Sequence, residues 1–278
     1  MRVARTINET RAFIKAARGE DKTIGLIPTM GAFHEGHLTL MRRARAEEDV
    51  VVVSLFVNPI QFGPGEDFAS YPRDFDSDAR MASDEHVDLI FAPSPEEMYP
   101  QPPHTAIYVK GLTQTLCGAF REGHFDGVTT VCSKLFNIIQ PDRAYFGEKD
   151  YQQMQVIRRM VADLNIPLQI VPVPTLREAD GLAMSSRNRY LNEEERAAAP
   201  LLYRALQTSA QAARKGATGP EVEEIFRHLL AKEPLFSVQY VQAVDPETLQ
   251  PVTDAGKPMV IAAAAHIGNA RLIDNITV

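Results

Sequence analysis

Residues 23–37 read TIGLIPTMGAFHEGH. Thr23–Pro28 is a short apolar run closed by a proline, the pattern of a buried strand. From His37 to Glu48 the composition turns helical, with Leu38, Met41 and Ala44 able to share one face and charged residues opposite. The chain therefore passes from strand to helix through a loop carrying Gly31, Gly36 and two histidines.

Outward from that unit the pattern repeats. Val50–Val57 (VVVVSLFV) is near-continuously apolar and β-branched, as a strand buried on both faces should be. A helix is expected at Phe75–Glu85, a strand at Val87–Phe91, a surface loop at Pro93–Pro103 and a short strand at Ile107–Val109. Val128–Ile139 reads as helix, Ala144–Phe146 as strand, Asp150–Leu164 as helix and Leu168–Val173 as strand. Strands alternating with helices predict an α/β fold with a doubly wound parallel sheet. Ligands of such sheets bind beyond the carboxyl ends of the strands.

Composition shifts near residue 175, after Pro172 and Pro174. Glu193–Lys215 is helix-rich, GATGP at 216–220 starts a second helix, and Ser237–Val244, Lys257–Ala264 and Ala270–Val278 read as strands. The expectation is a domain over 1–175 and a smaller α+β domain over 176–278, in keeping with a 278-residue chain at ~150 residues per domain.

The chain is 45% hydrophobic and 23% charged, which excludes a disordered or low-complexity protein. Its longest apolar run is too short to cross a membrane, and residues 1–20 have no apolar segment of the signal-peptide kind. Cys117 and Cys132 form no C-x-x-C pair, so neither a disulfide framework nor a cysteine-rich zinc site is expected, and a reduced, cytoplasmic protein is. A net charge of −7 argues against a nucleic-acid partner. A small anion is different, since helix N-termini and a few local cations can bind one within an acidic chain.

Four polar clusters follow strands or the domain junction. In Met30-Gly31-Ala32-Phe33-His34-Glu35-Gly36-His37, the histidines fall on one side of a first helical turn, where free N–H groups favour a phosphate. Zinc is a poor alternative, because H-E-G-H is not H-E-x-x-H; a purely structural pair is another. In Met184-Ser185-Ser186-Arg187-Asn188, two hydroxyls and a forked guanidinium can close over a polyphosphate, although such a loop can equally be a solvated cap. In Gly147-Glu148-Lys149-Asp150, Lys149 can neutralise phosphate charge, and Asp150 can accept from a ribose, hold a metal or cap the next helix. Gln153 follows one turn on. Asn58 and Gln61, after the most buried strand, can recognise hydroxyl or carboxylate groups of a small substrate, or simply satisfy the backbone of a turn.

These strings carry a resemblance. H-E-G-H resembles the HIGH signature of the nucleotidyltransferase superfamily, and M-S-S-R its KMSKS-type loop. More specifically, PTMGAFHEGHLTL, SLFVNPIQFGPGEDFASYPRD, FGEKDYQQ and READGLAMSSRNRYL resemble the pantoate–β-alanine ligase family over nearly all of residues 20–195. The resemblance implies a Rossmann-like catalytic domain binding ATP and pantoate, a C-terminal lid domain, and a cytoplasmic homodimer. It implies ATP as substrate with Mg²⁺, whose ligands it does not assign, and a pantoyl adenylate intermediate that β-alanine converts to an amide. His34, His37, Lys149 and Arg187 would be catalytic. Met30–His37, Gly147–Asp150, Leu176 and Met184–Arg187 would contact ATP, with Leu176 touching adenine through its backbone. Gln61 would contact both pantoate and β-alanine, and Gln153 would contact pantoate. Two departures stand out: both KMSKS lysines are missing, so Lys149 and Arg187 must supply that charge, and Glu122 stands where many relatives carry proline. Rival readings are another nucleotidyltransferase of the superfamily, a trimmed tRNA-ligase core, and a nucleotide-sensing module with no activity.

Overall fold

The structure, a computed structural model, describes residues 1–278. In chain order its strands and α-helices are β1 (Arg2–Ala4), α1 (Ile7–Arg18), β2 (Ile24–Thr29), α2 (Glu35–Glu47), β3 (Val50–Leu55), α3 (Phe75–Asp84), β4 (Leu89–Phe91), α4 (Pro95–Met98), α5 (His124–Ile139), β5 (Arg143–Gly147), α6 (Tyr151–Asp163), β6 (Gln169–Val173), α7 (Glu193–Ala198), α8 (Leu201–Arg214), α9 (Gly219–Leu230), β7 (Phe236–Val244), β8 (Val260–Ile267) and β9 (Ala270–Thr277). They fall into two compact units. The first takes Met1–Val109, Arg121–Glu148 and Gln153–Pro174; the second takes Thr175–Val278 together with Lys110–Phe120 and Lys149–Gln152, two short segments that composition does not mark.

The first unit is built on a six-stranded sheet of order β1-β4-β3-β2-β5-β6, with every neighbouring pair parallel. From β2 the order grows one way through β3 and β4 and the other through β5 and β6, so the switch point lies between β2 and β5. Loops leaving the carboxyl ends of those two strands are where such a sheet offers a ligand site. All residues of β3 but Leu55 are buried, Ser54 among them, in keeping with its nearly continuous apolar sequence. Ile27, Val51, Val53 and Ile90 pack with Leu38, Met41 and Ala44 of α2 and Ala82 of α3 in one cluster, the layer that fixes the start of α2 over the sheet.

Two expectations for this unit need correction. Ile107–Val109 is not a strand. Its place in the count of six is taken by β1, a three-residue edge strand that pairs with β4. The Ile107 carbonyl accepts from Thr129 Oγ1 at 2.6 Å, a bond to α5 rather than to a ladder. The proline-rich stretch is not all loop either. Ser94 Oγ caps Glu97 N at 3.2 Å, Pro95 sits at the first helical position, and the short α4 turns Met98 fully inward.

The second unit places α8 and α9 on the antiparallel sheet β7-β8-β9. Its core gathers Leu202, Leu206, Phe226, Val241, Ile261 and Ile267, all almost wholly buried. The three strands begin and end within a few residues of their expected bounds. Removing the Phe226 side chain leaves a cavity at the centre of this core. Phe226→Ala should therefore lower stability by about 3–5 kcal/mol, read as a fall in the urea midpoint without a change in slope.

Candidate functional site

In the first unit the site begins where β2 ends. Thr29 Oγ1 donates to the Ser54 carbonyl at 2.7 Å, closing the end of β2 on β3. The chain then turns through Gly31 at φ +88° and Ala32 at φ +53°. Two successive left-handed residues are unfavourable, the alanine especially. What holds the turn is Asp78 of α3, 2% exposed: its Oδ2 accepts from Ala32 N at 2.8 Å and its Oδ1 from Phe33 N at 2.7 Å. Gly31 has to be glycine here on two counts, its positive φ and the 2.9 Å that would separate a Cβ from Asp78 Oδ2.

The turn delivers His34 as the N-cap of α2 and His37 as its third residue. The pair form a capping box made of imidazoles. His34 Nδ1 accepts from Gly36 N at 3.1 Å, and His37 Nδ1 accepts from His34 N at 3.4 Å; the ring centroids lie 4.2 Å apart. A neutral ring whose Nδ1 accepts must carry its proton on Nε2. Both histidines thus present an Nε2–H donor beside a helix N-terminus, an arrangement suited to phosphoryl oxygens. Glu35 points away, in an ion pair with Arg42, which also binds Glu85.

The turn after β3 supplies Gln61, 7% exposed. Its Oε1 accepts from Asn58 Nδ2 at 3.0 Å and its Nε2 lies 3.2 Å from Met30 Sδ, which joins two of the sequence clusters. Asn58 is 1% exposed and also donates to the Gly127 carbonyl at 3.0 Å, while its Oδ1 accepts from Tyr99 Oη at 2.9 Å. Both amide protons of Asn58 are thus donated inside the protein, one of them to Gln61. This chain of bonds sets the Gln61 amide with oxygen toward Asn58 and nitrogen toward Met30 Sδ. Gly127 is equally constrained: a Cβ there would sit 2.5 Å from the Ile60 carbonyl oxygen and 2.6 Å from Gln61 Cα. Gly147 and Glu148 lie at the end of β5, neighbour of β2, and Gln153 is half-buried on α6.

The second unit holds the remaining predicted residues. The Leu176 carbonyl accepts from Met184 N at 3.0 Å and Arg177 bridges to Ala183, so 175–184 is a narrow hairpin turning at Gly181. Ser185 caps a 3-10 turn, its Oγ accepting from Arg187 N at 3.3 Å, and Ser186 is buried within that turn. Asn188 Nδ2 ties the turn to Glu178 Oε1 at 2.9 Å and to the Ala183 carbonyl at 3.1 Å. Strand β9 braces both parts. Asp274 takes both Nη groups of Arg177, at 2.6 and 2.9 Å, and Asn275 Nδ2 donates to the Lys149 carbonyl at 3.0 Å. Lys149, Ser185 and Asn188 line one recess together with Asp274. Asp150 is exposed at the end of the 3-10 turn that leads into α6. Gln152, next to Gln153, is consumed by structure: it accepts from Cys117 N and donates to the carbonyls of Leu112 and Thr115.

The residues that sequence reading missed are the holders: Asp78, Tyr99, Gly127, Asp274 and Asn275. None belongs to a contiguous motif. No group of three or more His, Cys, Asp or Glu gathers as a metal cage.

Asp78→Asn replaces an acceptor facing an amide N–H by a donor. The variant should lose about 1–3 kcal/mol in urea denaturation, the cost of one unmet buried donor. Gly127→Ala forces backbone apart at the Gln61 turn and should cost a similar ~1–3 kcal/mol by the same measurement.

The family model described as pantoate-beta-alanine ligase matches residues 2–277. The pantothenate synthetase of Heliobacterium modesticaldum is 53% identical over 279 residues, covering 100% of this chain and 99% of that one. That of Moorella thermoacetica is 51% identical over 280 residues, covering 99% and 98%. Among solved structures, pantothenate synthetase from Thermus thermophilus superposes with a TM-score of 0.94 at 48% identity, covering 99% of each chain. The pantoate-beta-alanine ligase of Francisella tularensis, complexed with beta-gamma ATP and beta-alanine, gives 0.84 at 33% identity, covering 100% of this chain and 97% of that one. Alike in sequence and in fold from one end to the other, the chain belongs to the pantoate-beta-alanine ligase family.

Proposed function

We infer that this protein is a ligase that joins pantoate to β-alanine at the expense of ATP. Family membership supports the activity. The observation that carries the chemistry is the imidazole capping box, which sets two Nε2–H donors at the mouth of α2.

In the first step a pantoate carboxylate oxygen attacks the α-phosphorus of ATP. The bond from that phosphorus to the bridging oxygen breaks, and pyrophosphate leaves with the electron pair. A carboxylate with an ordinary pKa of ~4 has no proton to give up at neutral pH, so this step asks for no general base. It asks for stabilisation of charge on the phosphoryl oxygens, which preorganised N–H donors and a helix N-terminus supply. His34 and His37 take this role, aided by the backbone of Met30–Phe33. Lys149 and Arg187 carry the positive charge that the missing KMSKS lysines would otherwise bring, and Ser185 and Ser186 add hydroxyl donors. In the second step the β-alanine amine attacks the acyl carbon, AMP leaves through its phosphate oxygen, and the amine releases a proton to form the amide of pantothenate.

The Gln61 amide nitrogen has two N–H groups, and the one not spent on Met30 Sδ suits an oxygen acceptor of the acid substrate; Gln153 is assigned to the same substrate. Gly147, Glu148 and Asp150 are assigned to ATP, Asp150 to its ribose and Leu176 to its base. Magnesium would be held by the triphosphate and water, the usual mode for an ion that dehydrates reluctantly. A homodimer is part of the same reading. So is a cytoplasmic setting, where the two unpaired thiols would stay reduced.

The test is turnover of ATP, Mg²⁺, D-pantoate and β-alanine with both nucleotide and acyl products resolved. AMP and pantothenate should form together and only when pantoate is present. An amide-free reaction that attaches a nucleotide to another substrate would replace this reading by the nucleotidyltransferase one. His34→Ala and His37→Ala should each lose about 2–4 kcal/mol of transition-state stabilisation, a ~30–1,000-fold fall in kcat. His34→Asn keeps a capping acceptor but no Nε2–H, so it should fold like the parent and lose the same rate.

A further inference from the structure

Outside the residues already assigned, the first unit contains a polar cluster whose chemistry is fully directional. His124 opens α5 and is 8% exposed. Its Nδ1 lies 2.8 Å from the Gln61 carbonyl oxygen, and its Nε2 lies 3.0 Å from Arg121 Nη1. A carbonyl only accepts and a guanidinium only donates, so the ring is neutral with its proton on Nδ1. This is the opposite tautomer to that of His34 and His37. Arg121 is anchored in turn by Glu66, with Nε on Oε1 at 2.7 Å and Nη2 on Oε2 at 2.6 Å, a forked and partly buried pair. Burial raises the Glu66 pKa, but the Arg121 bonds outweigh it and hold the carboxyl below its usual range. Glu66 Oε2 also accepts from Gly63 N at 3.2 Å.

We propose that His124, held by Arg121 and Glu66, is a positioning residue that seats Gln61 for recognition of the acid substrate. The proposal rests on the reading of Gln61 as a substrate contact. Gln61 is gripped from two directions: Asn58 fixes its side-chain amide, and His124 fixes its backbone carbonyl. Arg121 and His124 also hold both ends of the segment Gln61–Glu66, so the Gly63-Pro64-Gly65 stretch between them is tied at each end. Gly127, one turn along α5, lets the helix press close enough for the His124 bond to form. Glu122 is exposed and takes no part. Arg121 and His124 on either side of it do.

The experiment compares His124→Ala, His124→Asn, Gln61→Ala and the double variant His124→Ala/Gln61→Ala as full-length enzymes, with KM for pantoate and kcat measured separately. A displaced contact of this kind costs up to ~100-fold, so His124→Ala should raise KM for pantoate ~10–100-fold. His124→Asn places an amide donor near the Nδ1 position and should restore most of the loss. In the Gln61→Ala background the His124 change should add nothing, because its effect passes through that side chain. An undiminished cost in that background, or an unchanged KM in His124→Ala, overturns the positioning role while leaving Gln61 on the substrate. An unchanged KM in Gln61→Ala overturns the Gln61 reading itself, and the proposal with it. Should His124→Ala fail to fold, long-range ¹H–¹⁵N correlation on the unmodified protein decides: a protonated Nδ1 and bare Nε2 on His124 at neutral pH are expected, and the reverse tautomer overturns the relay.

Discussion

A carboxylate shut away from water holds the turn on which the first half of the site depends. At Gly31 and Ala32 the backbone runs left-handed twice in succession, and a non-glycine residue in that region costs ~1–2 kcal/mol. Asp78 answers with two charge-assisted bonds to Ala32 N and Phe33 N, each worth about 1.5–3 kcal/mol in such settings. The balance favours the turn, and it fixes His34 where β2 hands over to α2. A helix can then begin on an imidazole, though serine, threonine or aspartate would cap it better. A histidine cap satisfies the amide with Nδ1 and carries its proton on Nε2.

The same division between holders and donors recurs. Asn58 and Tyr99 set the Gln61 amide, Asp274 and Asn275 brace Arg177 and Lys149, and Gln152 is spent on the backbone of Leu112, Thr115 and Cys117. Buried polar groups of this kind are costly when partly satisfied and rigid when fully satisfied. Most of these holders are buried, and they reach their partners across long stretches of chain: 46 residues from Ala32 to Asp78, 41 from Asn58 to Tyr99 and 63 from Gln61 to His124.

That separation explains what could be read in advance. The donors sit in contiguous strings directly after strands, so local pattern exposes them, and the doubly wound sheet follows from the alternation of apolar runs and amphipathic stretches. Asp78, by contrast, lies in FDSDARMASD, where nothing local separates it from a solvated helical carboxylate. Ile107–Val109 has the composition of a strand but spends a carbonyl on Thr129, and strand identity is decided by a partner that composition does not name. The signal for α1 was present in Thr6 and Glu9, a complete capping box, while β1 at three residues is too short to show a period.

The opposed tautomers connect these features. His34 and His37 accept at Nδ1 and expose Nε2–H; His124 donates at Nδ1 and accepts at Nε2. The difference comes entirely from what each ring faces, backbone N–H in the first case and a carbonyl with a guanidinium in the second. One residue type thus takes two opposite tautomers within a single unit, divided by hydrogen-bond partners alone.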